Sequence, residues 1–397
     1  MGRRVARRRS QAAIRFLTAF AVLGLTFATG STAANGPSPL KAVTTDAPVA
    51  LLVDMDSGQT LVARNDRHRF IPASVTKVMT LYLAFELIDR GKLSPDQLVT
   101  MRDVTQAEWD RKGSTMFIRP GQPVSLDELL AGIAAISAND AAIALAEAAG
   151  GSVDGWTAMM NDEARKLGMR DSHFTTPNGW PDDGKTFTSA RDLEVLARAL
   201  IRRHPEKYKR YFGRDGLAFN GVAQANHDPI TRRVRGADGI KTGFTNEAGH
   251  TFLGSAERDG TRLIMILAGV EDYEDRGIVS RELIERGFAD FDRITVFRKN
   301  ATIGTLSIQD GTIDRVALKA SRDIRVAVPK GERPQIVLTV RYAGPVRAPI
   351  SPDVAAAMLE VKIEGMEPVN FPLLPAQQVD QAGFFRRIGN GMRSWFT

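Results

Sequence analysis

The sequence has no cysteine among its 397 residues. Disulfide bonds, thiolate metal sites and a cysteine nucleophile are therefore excluded. Histidine is also scarce, and its positions are too widely spaced for an H-E-x-x-H motif or a similar pairing, which argues against a zinc hydrolase. These histidines are His68, His173, His204, His227 and His250. We therefore expect no metal ion and no cofactor in this protein.

Acidic residues are absent from the first 33 positions, which contain six of the arginines behind the formal net charge of +7. The rest of the chain is close to neutral, so a nucleic-acid partner is not expected. An apolar run over 16–28 follows the arginines, and small residues follow it up to Ala33. This order predicts a signal peptide over 1–33, cleaved near Ala33, and export to the periplasmic face of the inner membrane. The alternative is a membrane-spanning anchor, for which the apolar run is short.

The chain is longer than one hydrophobic core usually serves, which predicts two domains. Residues 34–46 are small and polar, as expected of a linker. Residues 47–291 contain helical and strand patterns, whereas residues 292–376 alternate strands with turns, which predicts a separate small β-sandwich. The predicted helices cover 73–90, 126–149, 155–167, 188–204 and 280–288. The predicted strands cover 49–55, 59–63, 251–256, 262–268, 301–308, 316–320, 324–328, 335–342 and 359–363. The Asp-Gly pair at 259–260 predicts a hairpin between the third and fourth of these strands.

The tail over 377–397 mixes aromatic side chains with arginines. Its apolar residues can form one stripe opposite the arginines, which is typical of a helix lying in a membrane surface. Gly389 and Gly391 weaken such a helix, and a C-terminus packed on a domain is the alternative. We favour a peripheral membrane anchor.

Ser74 and Lys77 lie three residues apart in a predicted helix and therefore share one of its faces. A serine hydroxyl is a weak nucleophile at neutral pH and needs a base within hydrogen-bond reach. A lysine can be that base if its pKa falls well below about 10.4. By itself, S-x-x-K is common and usually places a solvated lysine beside a helix-starting serine. The pair therefore predicts a catalytic site only in combination with other motifs of the sequence.

Two further short motifs follow along the chain. Residues 137–139, Ser-Ala-Asn, interrupt an alanine-rich helical pattern, which favours a local break facing a cavity. Residues 241–243, Lys-Thr-Gly, open a strand-rich stretch, where a lysine beside glycine fits a wall that another backbone can approach. Each motif alone also fits an ordinary role, as a surface turn or as a lysine that protects an edge strand.

Together and in this order, the three motifs resemble the motif set of β-lactamases and penicillin-binding proteins. The sequence is most similar to the low-molecular-mass D-alanyl-D-alanine carboxypeptidases of the penicillin-binding protein 5 type, peptidase family S11. The likeness includes the segments 72–80, 113–118, 137–142, 188–193 and 238–249 and covers almost all of the chain after the leader. It implies an α+β fold: a β-lactamase/transpeptidase-like catalytic domain with an antiparallel sheet flanked by helices, followed by the β-sandwich.

The resemblance also implies catalytic roles. Ser74 would attack the carbonyl carbon of a D-Ala–D-Ala bond and become an acyl-enzyme, while Lys77 takes its proton. Burial and nearby Lys241 would keep Lys77 neutral. Ser137 would relay a proton to the departing nitrogen, and Asn139 would position Lys77 and the substrate backbone.

The residues implied to bind substrate are Lys241, Thr242, Gly243, Phe244 and Arg276. Lys241 and Thr242 would form a wall along which the peptide lies and where its terminal carboxylate finds positive charge. The backbone N–H groups of Ser74 and Phe244 would form an oxyanion hole. Arg276 stands where some relatives place a carboxylate-binding arginine, although a surface arginine is the commoner explanation.

The sequence differs from its relatives at two positions, and it lacks one segment found in class A β-lactamases. The family more often has glycine at the position of Ala138, and some relatives have histidine at that of Phe244, which puts substrate preference in doubt. Between Asn139 and Lys241 there is no E-x-x-L-N segment, which in class A β-lactamases supplies the glutamate that activates the deacylating water. We therefore expect penicillin to acylate Ser74 and to leave slowly.

The leading hypothesis is a serine DD-carboxypeptidase that trims peptidoglycan pentapeptide stems and binds β-lactam antibiotics covalently. The same serine and lysine are compatible with a DD-endopeptidase or a weak β-lactamase. A third hypothesis is an inactive peptidoglycan-binding scaffold, which would be expected to have lost Ser74, Lys77 or Lys241. All three residues are present.

Overall fold

The computed structural model describes residues 23–25 and 47–383. The predicted linker, most of the predicted signal peptide and the tail from residue 384 onwards lie outside these ranges. The helices are α1 (Lys77–Asp89), α2 (Asp103–Trp109), α3 (Leu126–Ala135), α4 (Asn139–Gly150), α5 (Val153–Leu167), α6 (Ala190–Arg203), α7 (Pro205–Tyr211) and α8 (Tyr273–Ala289). Within the described ranges, none is both long and apolar enough to cross a membrane.

The strands, again in chain order, are β1 (Leu23–Leu25), β2 (Val49–Asp54), β3 (Thr60–Arg64), β4 (Leu98–Thr100), β5 (Pro123–Ser125), β6 (Gly216–Phe219), β7 (Val222–Ala225), β8 (Ala237–Thr245), β9 (Gly249–Arg258), β10 (Thr261–Val270), β11 (Phe291–Phe297), β12 (Thr302–Gln309), β13 (Arg315–Ala320), β14 (Ile324–Pro329), β15 (Ile336–Arg341), β16 (Val346–Arg347), β17 (Ala357–Ile363) and β18 (Val369–Pro375).

A five-stranded antiparallel sheet in the order β3-β2-β10-β9-β8 forms the centre of the first domain. β9 and β10 form the hairpin predicted from the Asp-Gly turn at 259–260, where both residues have positive φ. Successive side chains of a strand point to opposite faces. Accordingly, Leu51 and Ile266 join a core shared with the helices, whereas Leu52 and Met265 pack in a second core with α8. The sheet is thus flanked by helices on both faces, in agreement with the fold that the resemblance implied.

Helix α1 lies in the middle of the larger core and is buried along almost its whole length. Its residues are apolar on nearly every side, which is typical of a helix surrounded by other elements. A short 3₁₀ turn over Ala73–Thr76 precedes it. The helix predicted over 73–90 is therefore correct in extent, and its first turn is wound more tightly than expected.

The second domain contains only strands. A seven-stranded sheet in the order β1-β15-β17-β18-β13-β12-β16 accompanies a β11-β14 ribbon, and both contribute to one apolar core that includes Leu318, Val326, Leu359 and Phe371. This arrangement confirms the expected all-β domain. Because β1 falls within the predicted signal peptide, cleavage near Ala33 would remove it and leave β15 at the sheet edge.

The two domains are joined through a buried glutamine. The side chain of Gln59 accepts a hydrogen bond from the Ala327 backbone nitrogen at 2.6 Å and donates one to the Ala327 oxygen at 3.0 Å. Arg293 of β11 also reaches the Asp54 carboxylate at 3.3 Å. The first domain and the β11-β14 ribbon of the second are therefore connected directly.

Sequence patterns missed several short elements, notably α2, α7 and β18. The two helices have seven residues each, too few to show a clear helical period. The predicted helix over 280–288 actually begins at Tyr273, where the Asp272 side chain caps it by accepting bonds from two backbone nitrogens. Its first turns are charged, so hydrophobic patterning identified only the later part.

Candidate active site

A pocket of about 480 Å³ lies where α1, the α3–α4 junction and β8 meet. Seven of the nine predicted site residues line it, and they are Ser74, Ser137, Asn139, Thr242, Gly243, Phe244 and Arg276. The other two, Lys77 and Lys241, are almost fully buried behind its surface. The three motifs, which lie far apart in the sequence, therefore form three walls of one cavity.

Ser74 occupies the 3₁₀ turn that immediately precedes α1. The preceding residue, Ala73, has a φ of +48°, a conformation that a non-glycine residue rarely adopts and that recurs at functional sites. One turn later, the Lys77 amine lies 2.8 Å from the Ser74 hydroxyl. This is the contact expected of an activated serine and its base.

Lys77 is completely buried, and its amine also donates to the Asn178 carbonyl at 2.6 Å. Burial lowers the pKa of Lys77 well below its usual 10.5, and the nearby charge of Lys241 lowers it further. The Asp140 carboxylate acts in the opposite direction. A neutral Lys77 has a free lone pair that can accept the Ser74 proton.

Two glycines allow other backbone segments to approach Ser74 closely. A side-chain carbon on Gly243 would lie 2.6 Å from the Pro72 oxygen and 3.1 Å from the Ser74 nitrogen. One on Gly179, whose φ is +72°, would lie 1.9 Å from the Ala73 oxygen. Glycine is thus required on both sides of the turn that carries Ser74.

The second wall is a break between helices. α3 ends at Ala135 and α4 begins at Asn139, so the expected interruption of the alanine-rich pattern is confirmed. Ser137 in the break has a φ of +63°, and it lines the pocket. A short bend therefore carries two polar side chains to the cavity from otherwise apolar helices.

Asn139 has a different partner from the one expected. Its amide nitrogen donates to the Lys112 carbonyl at 3.0 Å, and its backbone nitrogen donates to the Ser114 carbonyl at 2.7 Å. The Lys77 amine instead donates to the Asn178 carbonyl, and no hydrogen bond joins Asn139 to Lys77 among the described residues. Asn139 faces the 112–114 loop, which it holds against the pocket, and its role in positioning Lys77 stays a prediction.

The third wall is β8, paired with β9. Lys241 is 4% exposed and its amine donates to the Thr242 carbonyl at 3.0 Å. Burial lowers the pKa of Lys241 to about 7, while Asp228 opposes this effect and Arg276 adds to it. Lys241 is therefore close to the balance between its charged and neutral forms at physiological pH.

Arg276 is 3% exposed, which excludes the surface-arginine explanation. Its guanidinium lies over the Tyr273 ring, 4.6 Å from the ring centre, and it donates to the His227 carbonyl at 3.4 Å. The buried Nε has no hydrogen-bond partner within the described part of the chain. An arginine that lines a pocket with an unused donor suits an incoming carboxylate.

Aromatic side chains form the rim beside Arg276. Phe244 is 52% exposed and stacks on His250 with ring centres 4.4 Å apart, and Tyr273 meets the same histidine edge-on at 5.8 Å. Burial lowers the pKa of His250, and the charge of Arg276 lowers it further. Phe244 thus presents an apolar surface at the position where some relatives carry histidine.

Sequence reasoning assigned no role to two buried residues of the site. Asp140 accepts hydrogen bonds from the backbone nitrogens of Met116 and Ile118 at 3.0 and 3.3 Å, which anchors the loop below the pocket. Asn178 supplies the carbonyl that holds Lys77. The Pro-Asn-Gly run around Asn178 signals a turn but gives no indication of its partner.

The arrangement is suited to acyl transfer. It has a serine in contact with a buried lysine whose pKa is lowered, polar groups opposite them, and Lys241 and Arg276 as cations for an anionic end of a substrate. No cluster of potential metal ligands occurs in the described residues. The serine–lysine contact and the two cations favour nucleophilic attack on a carbonyl carbon that lies near a carboxylate in the substrate.

Comparison with known families agrees with this geometry. A family model described as D-alanyl-D-alanine carboxypeptidase matches residues 33–272, and one described as penicillin-binding protein 5, C-terminal domain, matches residues 291–381. The D-alanyl-D-alanine carboxypeptidase DacA of Escherichia coli K12 is 31% identical over 86% of each chain. Its counterpart in Haemophilus influenzae is 30% identical over 94% of this chain and 95% of that protein.

Solved structures show the same relationship. Penicillin-binding protein 5 from Haemophilus influenzae aligns with a TM-score of 0.74 and 29% identity, covering 88% of this chain and all of that one. A D-alanyl-D-alanine carboxypeptidase from Mycobacterium tuberculosis aligns with a TM-score of 0.55 and 30% identity, covering 64% of this chain and 96% of that one. The first similarity extends over both domains.

Proposed function

The chain belongs to the D-alanyl-D-alanine carboxypeptidase family, and on this premise we propose that it is a serine DD-carboxypeptidase acting on peptidoglycan pentapeptide stems. The observation that carries the proposal is the 2.8 Å contact between the Ser74 hydroxyl and a fully buried Lys77. Buried lysines with lowered pKa are rare outside functional sites, because burial of the charge is unfavourable.

In the proposed reaction, the Ser74 oxygen attacks the carbonyl carbon of the penultimate D-alanine while Lys77 takes the hydroxyl proton. The C–N bond then breaks, and Ser137 relays the proton from Lys77 to the departing D-alanine nitrogen, which leaves Lys77 neutral again. Water hydrolyses the resulting ester, which releases the shortened stem and restores the Ser74 hydroxyl. Lys241 and Arg276 attract the terminal carboxylate throughout.

β-Lactams would enter the same path, because their ring carbonyl can acylate Ser74 and their carboxylate can meet the same cations. Slow release is supported by the positions of Glu147 and Glu163, two of the four glutamates in the helices between Asn139 and Lys241. Glu147 bonds with Arg102 and with the Thr105 hydroxyl at 3.0 Å. Glu163 is buried and pairs with Lys166 at 2.8 Å. Neither lines the pocket, so neither is placed to activate a deacylating water.

The test is release of D-alanine from a pentapeptide stem, with purified cross-linked muropeptides as a parallel substrate. We expect pentapeptide turnover by the wild type and none by Ser74→Ala. Activity that survives Ser74→Ala would refute the mechanism. Faster turnover of the cross-linked substrate would instead favour endopeptidase action.

We further propose that the protein is exported and held at the membrane surface by its tail. The signal-like leader and the aromatic and basic residues after position 383 support this location. A mature chain that ends at residue 383 should lose binding to anionic vesicles while it still reacts with penicillin. Equal vesicle binding by the long and short chains would contradict the anchor.

A further inference from the structure

A cleft of about 660 Å³ lies between the two domains and shares no lining residue with the active site. One wall is the turn over 56–58 together with α6, and the other comes from the turn before β14 and from residues 368–372. Three arginines line it, two from the first domain and one from the second, and they are Arg198, Arg202 and Arg322. We refer to it as the interdomain arginine cleft.

Two of these arginines have most of their donors free. Arg202 donates one hydrogen bond, to the Met55 carbonyl at 2.9 Å, and Arg322 donates one, to the Asp56 carbonyl at 2.7 Å. A guanidinium carries five N–H donors, so four remain on each. Arg198 differs, because its guanidinium is already occupied by Glu194 and by the Met55 carbonyl.

The charges in the cleft are not balanced. Among the described residues, neither Arg202 nor Arg322 has a carboxylate within 4 Å, and Asp56 is the single acidic residue that lines the cleft. Burial lowers the pKa of Arg202, and the like charges of Arg198 and Arg322 lower it further, while the charges of Asp56 and Glu194 act in the opposite direction. The protein thus holds cations together without an equal number of anions, an arrangement that an anionic ligand would stabilise.

We propose that the interdomain arginine cleft binds a phosphate group, either free or on a lipid headgroup, between Arg202 and Arg322. The planar guanidinium matches two oxygens of a phosphate at once, and two such groups can contact different oxygens of one tetrahedral anion. Since one arginine comes from each domain, the ligand would also link the domains. The proposal does not depend on the reaction at Ser74.

The test compares the full mature chain with the double variant Arg202→Gln/Arg322→Gln. Millimolar inorganic phosphate, against chloride at equal ionic strength, should raise the melting temperature of the wild type because only the folded cleft binds it. The double variant should bind phosphate about tenfold more weakly or worse, since two charge-assisted contacts are lost. Arg325→Gln, an exposed arginine on the neighbouring strand, should behave like the wild type.

A parallel vesicle-binding assay distinguishes a lipid headgroup from free phosphate as the ligand. If phosphatidylglycerol vesicles, but not phosphatidylcholine vesicles, bind the wild type more tightly than the double variant, the ligand is a headgroup. A phosphate-dependent shift with equal vesicle binding indicates a free phosphate. No shift in the wild type, or an equal shift in the double variant, would overturn the proposal. All variants should still react with penicillin, which separates this outcome from a failure at Ser74.

Discussion

Lys77 and Lys241 are both buried, yet the proposed reaction needs them in different protonation states. Lys77 has to be neutral to take the Ser74 proton, and burial followed by the charge of Lys241 lowers its pKa in that direction. Lys241 has to be charged to attract a carboxylate, but burial lowers its pKa to about 7. Asp228, which is itself buried, favours the charged form of Lys241.

Replacement of Asp228 should therefore change the pH dependence of acylation. In the wild type, acylation by benzylpenicillin should decline as pH rises through about 7, where Lys241 loses its charge. In Asp228→Asn the decline should begin at lower pH, while the retained side-chain oxygen can still accept bonds from the Ile230 and Thr231 nitrogens. The measurement is the acylation rate against pH. Asp259→Asn, at an exposed turn, is the control, and a variant profile identical to it would contradict this role for Asp228.

Lys241 should also make the stability of the folded protein depend on pH. The pKa of Lys241 is about 7 in the folded protein and 10.5 ordinarily, so between these values the unfolded chain binds more protons. The free energy of unfolding should therefore rise with pH in this window, by up to about 1.4 kcal/mol per pH unit for one lysine. Lys241→Met should reduce the slope. Urea unfolding at pH 7, 8 and 9 measures it, and equal slopes in the two proteins would show that Lys241 keeps its ordinary pKa.

At the scale of elements, the site depends on the close approach of β8 to the turn before α1. No side-chain carbon fits at Gly243, because the Pro72 oxygen would lie 2.6 Å away. Gly243→Ala should push the strand outwards and slow acylation about 100-fold, since an error near 1 Å in a catalytic group has that effect. Gly304→Ala in β12, where nothing lies within 4 Å, is the control and should leave the rate unchanged. Equal acylation rates in both variants would show that glycine is not required at position 243.

The sequence predicted these elements unevenly. Long helices and the 259–260 hairpin were found because their periodicity and turn chemistry are local. The three motif walls were found because the motifs, taken together and in order, resemble those of a known family. The hydrogen-bond partners of Lys77 and Asn139 were not predicted. Asn178 and Lys112 contribute backbone carbonyls, which any residue possesses. Such contacts depend on tertiary packing.

For the whole molecule, Gln59 connects the two domains through two hydrogen bonds to Ala327. Gln59→Ala should leave the backbone donor and acceptor of Ala327 without these partners. This should lower the free energy of unfolding by about 1–3 kcal/mol. Calorimetry should then show the domain transitions moving apart, while penicillin labelling is retained because Gln59 lies outside the active-site pocket. Gln309→Ala, at an exposed position of β12, is the control. A single unshifted transition in Gln59→Ala would show that the domains are coupled by other contacts.

Mass spectrometry of the protein after exposure to benzylpenicillin tests directly whether Ser74 is the acylated nucleophile. We predict one penicilloyl adduct on Ser74, no adduct in Ser74→Ala, and adduct formation at least about 100-fold slower in Lys77→Met, since general-base catalysis contributes that much or more. Circular dichroism of each variant confirms that it is folded. An adduct that persists in Ser74→Ala, or a folded wild type that forms none, would contradict the assignment of Ser74 as the nucleophile.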